Sequence, residues 1–497
     1  MGEYTMLEHV LFVSFPGQGH INPSLRLAKQ IASKGVLVTF STNEATGEMM
    51  QKATSNTPGT PTPVGSGYLR FEFFCDGWDI ANTDLDAFMV NLKTVGPPAV
   101  KELIRRQADE GRPVSCVVNN PFVPWVLDVA EELNIQSAVL WVQSCAVFSI
   151  YYHFCHFPAM FPASDESWTG FSLKLPNMPL LQSLDLPSFM LPTTTYRCLT
   201  QVICEQIENI SKASWILVDS FEELEKPILE SIAEISPPLK LLPVGPLFKS
   251  PSNTPTLRGD MWKAADCINW LDSQPLASVL YASFGSVVTL GREQMEEVAR
   301  GIRDCGRPFL WVVRDGARKD LPERFEEETA GKGMVVPWSP QEAVLSHPSV
   351  ACFMTHCGWN STMESLSSGV PVIAVPQWGD QTTDAKFLVD VYGVGVQLGK
   401  GEGGPLITKE EVILAVEEVV SGPRSGDLRA MALKWKDKAA AAVAEGGTSA
   451  NNIQTFLDDI KRGTETISSP ELCLSGSQLN LEKTTTMGSV RRQVTAP

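Results

Sequence analysis

Positive charge is scarce in this 497-residue chain, where 40 Lys and Arg stand against 57 Asp and Glu for a formal net charge of −17 at pH 7. With no basic stripe to offset that surface, nucleic acid and anionic membranes are excluded as partners. Long apolar runs are also missing. The N-terminal run in MGEYTMLEHVLFVSF is a strand's length and has no basic flank, so neither a secretory signal nor membrane insertion is expected. The eleven cysteines are an odd number, scattered from Cys75 to Cys473 without metal-ligand spacing. They read as free thiols in a reducing compartment, which gives a cytoplasmic address, no metal and no other cofactor.

The length itself points to two domains of two hundred-odd residues. In the first half, Val10–Phe15, Val36–Phe40, Cys116–Val118, Ala138–Val142 and Trp215–Asp219 are short apolar runs separated by helical stretches such as Leu25–Lys34 and Val126–Leu133. That alternation predicts one parallel sheet over residues 1–243. Residues 244–260 are rich in Pro and Ser and read as a linker. A second α/β series over 261–462 contains Ser278–Phe284, Phe309–Val313, Gly333–Val336, Val350–Met354 and Val370–Val375, with a helix from Arg292 to Cys305 and long helices over Leu428–Ile460. The Ser, Thr and Gly of 463–497 predict a disordered tail. The fold class is therefore α/β, with two Rossmann-like domains whose parallel sheets face a central cleft, and a monomer is expected.

The most informative segment runs from Trp338 to Gln381. After the strand Val350–Met354, the turn Thr355–Gly358 exposes His356. Gly358, Asn360, Ser361 and Thr362 then open a helix whose free N–H groups and hydroxyls can meet a phosphate. Glu364 falls one turn beyond Asn360 on the same face, where its carboxylate can accept from the hydroxyls of a ribose. Trp338 offers a flat stacking surface. Asp380 and Gln381 follow the next strand at its carboxyl end, where open α/β sheets place ligands. Ser286, in a glycine turn after the first strand of the second domain, can present its hydroxyl and N–H to a diphosphate.

This segment resembles, from its first tryptophan to its last glutamine, the signature of the plant secondary-product UDP-glycosyltransferases. The resemblance implies a GT-B architecture and an inverting, metal-independent reaction, with C-terminal helices that return to the first domain. It also implies that Trp338 stacks on uracil beside Gln341, that Glu364 holds the ribose, and that His356, Asn360 and Ser361 bind the diphosphate. Trp359, Asp380 and Gln381 would contact the sugar, and the terminal glutamine implies UDP-glucose.

At the other end of the reaction, the opening strand runs into Phe15-Pro-Gly-Gln-Gly-His20, a turn that lifts His20 over the carboxyl edge of the sheet as a general base. In the family a charged partner for this histidine is common: an aspartate at the end of a strand. Here Asn120 stands at that position, in Cys116-Val-Val-Asn-Asn-Pro-Phe-Val-Pro-Trp125. An asparagine can orient an imidazole but cannot neutralise an imidazolium. A carboxylic acid acceptor, ionised near neutrality with a pKa of ~4, needs no base. Stretches 117–125, 138–145 and Leu186-Pro-Ser-Phe189 also resemble the branch that glucosylates hydroxycinnamate and gallate, so small aromatic acids become the expected acceptors and their glucose esters the products. Gln143 and Ser144 are expected in the acceptor pocket, and Asp128 is not expected to replace the missing aspartate.

Three rival readings remain. One is O- or C-glucosylation of phenols with the same His20. Another is a nicotinamide-dependent oxidoreductase, since Gly17-Gln-Gly19 opens a helix after a strand and Glu44 follows the next strand. That fingerprint fails at Asn22-Pro23. The third is a catalytically silent UDP-sugar-binding protein.

Overall fold

The computed structural model describes residues 8–54, 58–79, 82–235, 241–248, 257–288, 290–399 and 406–468. Ten strands of the first half are β1 His9–Val13, β2 Leu37–Ser41, β3 Thr62–Val64, β4 Gly67–Phe71, β5 Cys116–Asn119, β6 Gln136–Trp141, β7 Ser172–Leu173, β8 Leu181–Gln182, β9 Trp215–Val218 and β10 Leu241–Pro243. Eight of them form one sheet in the order β10-β9-β6-β5-β1-β2-β4-β3, while β7 and β8 pair separately. The second half contributes β11 Val279–Ser283, β12 Phe309–Val312, β13 Gly333–Val336, β14 Val350–Thr355, β15 Val372–Ala374 and β16 Gly395–Gln397, ordered β13-β12-β11-β14-β15-β16. All pairs in this second sheet are parallel. Each expected strand is present, because runs such as Val279-Leu-Tyr-Ala-Ser283 are buried on both faces.

In both sheets the strand order reverses beside the first strand, β1 in one and β11 in the other. Chain direction makes the crevice at such a switch point the natural ligand site. His20 and Asn120 leave β1 and β5, and Ser286 and His356 leave β11 and β14. The sequence thus sets the two halves of a cleft by topology alone.

The helix Gln18–Ser33 begins seven residues before the expected Leu25 and contains Pro23. Proline has no N–H to give the carbonyl four residues back. That carbonyl belongs to Gly19, and it accepts instead from Asn360 Nδ2 of the second domain at 2.9 Å.

The two domains share one apolar cluster, in which Trp141, Val147 and Phe221 of the first meet Trp359, Met363, Phe387 and Trp435 of the second. The last helix, Thr448–Ser468, packs on the first domain: Ile453, Phe456, Leu457 and Ile460 enter the core around β1 and β2, and Trp215 Nε1 donates to Asp459. It runs to Ser468, past the expected boundary at 463, with Gly463 close against Gln136. The rest of the proposed tail and residues 249–256 of the linker lie outside the described residues. Among the described residues no helix is long and apolar enough to cross a membrane.

Candidate active site

Between the sheets lies a cleft of about 870 Å³. At its acceptor end the turn after β1 is closed by hydrogen bonds from Gly17 N to Phe15 O and from His20 N to Gly17 O. The His20 ring packs against Phe15 and Phe122, with centroids 5.0 and 5.1 Å away. Phe122 is held at φ 76°, a conformation that costs a bulky residue energy and marks a site the surroundings impose. His20 Nδ1 is buried with no hydrogen-bond partner. Burial drives its pKa from 6.5 down to about 3, with the Asn120 side chain opposing weakly, so the ring is neutral.

Asn120 is fully buried and does not itself border the cleft. Its Oδ1 accepts from Phe15 N at 2.9 Å, and its Nδ2 donates to Ser14 Oγ, Ser24 Oγ and His20 O at 2.9, 3.0 and 3.3 Å. The register that sets Asn119 opposite Val13 explains this, since the next residues of both strands then face one another. Asn120 fixes the backbone that carries His20 and leaves the imidazole uncharged. Asp128 is on the surface, paired with Lys212.

At the other end, the helix Trp359–Ser368 starts at Gly358 with no side-chain cap, so its first N–H groups are free for an anion. His356 stands in front of it between two glycines. A Cβ at Gly285 or at Gly358 would come within 2.6 Å of its Nε2. Gly285 also has φ +77°. Burial lowers the His356 pKa to about 4, leaving a neutral ring that can donate one hydrogen bond. Ser286 follows Gly285, its carbonyl held by Arg314. Gly285→Ala is expected to weaken UDP binding about tenfold, measured by calorimetry, because it both strains the turn by ~1 kcal/mol or more and displaces His356.

Glu364 is 4% exposed and accepts from Gln341 Nε2 at 2.6 Å. Gln341 also reaches Ser361 Oγ at 3.0 Å and accepts from Tyr281 at 2.9 Å. The other Glu364 oxygen takes Arg26 Nη2 at 2.9 Å, an ion pair between the two domains. Arg26 was not singled out from the sequence. The signal was present: Gln18, Asn22, Arg26 and Lys29 form a polar stripe on one face of the first helix, and all four line the cleft. Trp338 borders the cleft beside Trp262, whose ring centroid lies 4.9 Å away at 43°.

Asp380 and Gln381 border the cleft at the end of β15, with Gln381 Oε1 accepting from Gln377 N and Trp378 N at 3.0 and 3.2 Å. Trp359 also borders it, with its indole Nε1 donating to Asp219 O at 2.6 Å. Gln143 lines the cleft. Ser144 does not: it is 1% exposed, caps the helix Cys145–His156 through Val147 N, and donates to Asp384 Oδ1 at 2.9 Å. An apolar wall of Phe15, Leu85, Phe122, Phe189, Leu199 and Trp378 completes the acceptor end, whereas the cations Arg26, Lys29 and Arg258 gather at the nucleotide end. Glu44 is exposed and borders a separate depression, which removes the acid that the dinucleotide reading required. Among the described residues no group of three or more His, Cys, Asp or Glu is placed to hold a metal.

Residues 263–435 match the model of the family described as UDP-glucoronosyl and UDP-glucosyl transferase. A gallate 1-beta-glucosyltransferase of Punica granatum is 51% identical over 474 residues, covering 93% of this chain and 90% of that protein. A cinnamate beta-D-glucosyltransferase of Fragaria ananassa is 47% identical, covering 93% and 84%. Among solved structures, the crystal structure of Os79 from O. sativa in complex with UDP superposes with a TM-score of 0.80 at 29% identity, over 91% of this chain and all of that one. The chain belongs to the UDP-glycosyltransferase family and is a hexosyltransferase of GT-B fold.

Proposed function

We propose that this enzyme transfers glucose from UDP-glucose to the carboxylate of a benzoic or cinnamic type acid, forming a 1-O-acyl glucose ester with inversion. The observation that carries this reading is the neutral, buried His20 with an asparagine in place of a charged partner. A phenol must give up its proton as it attacks, and burial leaves the His20 ring a much weaker base than a free imidazole, with no charged partner for the imidazolium. A carboxylate arrives without a proton. Its oxygen bonds to the anomeric carbon as the bond from that carbon to the diphosphate breaks, and UDP leaves with the electron pair. His20 then serves as a hydrogen-bond donor that aims the attacking oxygen. The apolar, aromatic acceptor wall suits a flat ring, and the similarity to gallate and cinnamate glucosyltransferases supports the same acceptor class.

On the donor side, Trp338 and Gln341 would take the uracil and Glu364 the ribose. Ser286, His356, Asn360 and Ser361 would take the diphosphate, and Asp380 and Gln381 the glucose hydroxyls. Neutral donors and a helix N-terminus balance the leaving diphosphate in an acidic protein.

The test is a UDP-glucose assay with gallic or cinnamic acid beside a matched phenol lacking the carboxyl, for wild type and Asn120→Asp. The wild type is expected to give an alkali-labile ester from the acid. In Asn120→Asp the hydroxyls of Ser14 and Ser24 can turn to donate to the new carboxylate, though the His20 carbonyl at 3.3 Å cannot. That charge should raise turnover of the phenol about tenfold and lower that of the acid by a similar factor. Alkali-stable glucosides from the phenol alone would overturn the ester reading.

A further inference from the structure

A buried acidic group lies directly behind the proposed sugar subsite. Asp384 stands one helical turn after Asp380 on the short helix Gln381–Lys386, its N–H bonded to Asp380 O at 3.0 Å, so both carboxyls share a face. Asp384 is 1% exposed. One oxygen takes the Ser144 hydroxyl at 2.9 Å, from the first domain. The other oxygen is buried without an N–H or O–H to accept from, and the Asp380 carboxyl is the neighbouring acid that the Asp384 carboxyl interacts with. Two carboxylates cannot satisfy one another, whereas a carboxylic acid and a carboxylate can, through a single shared proton.

We propose that Asp384 is a positioning residue for donor-sugar binding: as a neutral acid oriented by Ser144, it donates to Asp380 and fixes that carboxylate towards the glucose hydroxyls. The proposal rests on the reading that Asp380 meets the sugar. The surroundings favour the neutral acid. The ionisable groups facing Asp384 are Asp380, Glu225 from the helix Glu222–Ile235, Tyr151 and Tyr392, with Cys357 behind, and none is a cation. Glu225 is itself tied to Cys145 N, Ala146 N and Ser220 Oγ. The cation on the same helix, Lys386, pairs with Asp185 and Asp390. Burial and the neighbouring acids both push the Asp384 pKa well above the carboxylate range. The sign follows: the protonated form is native, so the arrangement persists as pH falls and fails as pH rises.

Three variants test this, with KM for UDP-glucose and the inhibition constant of UDP, which has no sugar, measured from pH 6 to 9. Asp380→Ala is expected to raise KM for UDP-glucose tenfold or more; if it does not, the reading of Asp380 itself fails. Asp384→Leu, which cannot donate, should raise that KM about tenfold while the UDP inhibition constant stays within threefold. Asp384→Asn keeps an N–H donor without a titrating proton, so it should match wild type near neutrality and lack the rise in KM that wild type shows at alkaline pH. An Asp380→Ala effect without an Asp384→Leu effect would overturn the proposal alone. Equal weakening of UDP and UDP-glucose in Asp384→Leu would assign Asp384 to general folding. If the leucine variant does not fold, Asp384→Asn decides, because an alkaline limb unchanged from wild type also overturns it.

Discussion

Glu364→Ala is expected to lower kcat/KM for UDP-glucose about a thousandfold and to reduce the melting temperature by several degrees. Two effects combine in one side chain. The donor loses the charged acceptor for its ribose hydroxyls, and each hydrogen bond to a charged group contributes about 1.5–3 kcal/mol. In the protein, Arg26 loses its partner while its side chain is only 14% exposed. Leaving one half of a buried ion pair costs about 3–5 kcal/mol, more than the intact pair gains. Glu342 at 3.9 Å and the Leu247 carbonyl at 2.9 Å soften that loss without removing it. Steady-state kinetics and thermal unfolding of Glu364→Ala, Glu364→Gln, Arg26→Met and the Arg26→Met/Glu364→Gln double variant separate the two effects. The double variant should recover melting temperature relative to Glu364→Gln but no donor affinity. Recovery of both would mean that Glu364 acts only through Arg26.

His20→Ala divides the two acceptor classes. With a phenol, removal of the imidazole should cost about 10²–10³ in kcat/KM, towards the low end of general-base catalysis because burial weakens the ring as a base. With an aromatic acid the loss should be about 10–100-fold, because only a hydrogen bond and the aim of the attacking oxygen disappear. The pH profile gives an independent check. The His20 pKa is lowered to about 3, so the ring stays uncharged as pH falls through 6.5. The acid limb with an acid acceptor is then expected near the substrate's own ionisation at pH ~4. A limb centred near 6.5 that vanishes in a variant retaining activity would assign the titration to His20 and reverse this expectation. The same depressed pKa has a stability consequence of definite sign. The unfolded chain takes up a proton at His20 below pH 6.5 and the folded chain does not, so acid removes stability, and His20→Gln should flatten that slope by up to about 1.4 kcal/mol per pH unit.

The sheets were legible because buried parallel strands are continuous apolar runs, as in Val350-Ala-Cys-Phe-Met-Thr355. The missed strands lack that mark. Leu241–Pro243 is an edge strand carrying a proline, Thr62–Val64 also contains one, and Gly395–Gln397 has three residues. The nucleotide groups were legible because one contiguous segment carries nearly all of them. Arg26 and Asp384 were not, since each takes its meaning from a partner more than two hundred residues away across the domain boundary. Asn120 was legible as a substitution but not as a backbone support, because sequence reports which group stands at a strand end and not which way it turns. That Ser144 turns to Asp384 rather than into the cleft was not legible for that same reason.

Pro23 has a mechanical consequence. By denying Gly19 an internal partner it makes one residue of the first helix an anchor for Asn360, next to His20 in the chain and at the first turn of the diphosphate-facing helix. The backbone beside His20 and the first turn of the donor-facing helix are thereby referenced to one another through a single hydrogen bond, so the reacting histidine and the anion-facing N–H groups share one point of registration across the domain boundary.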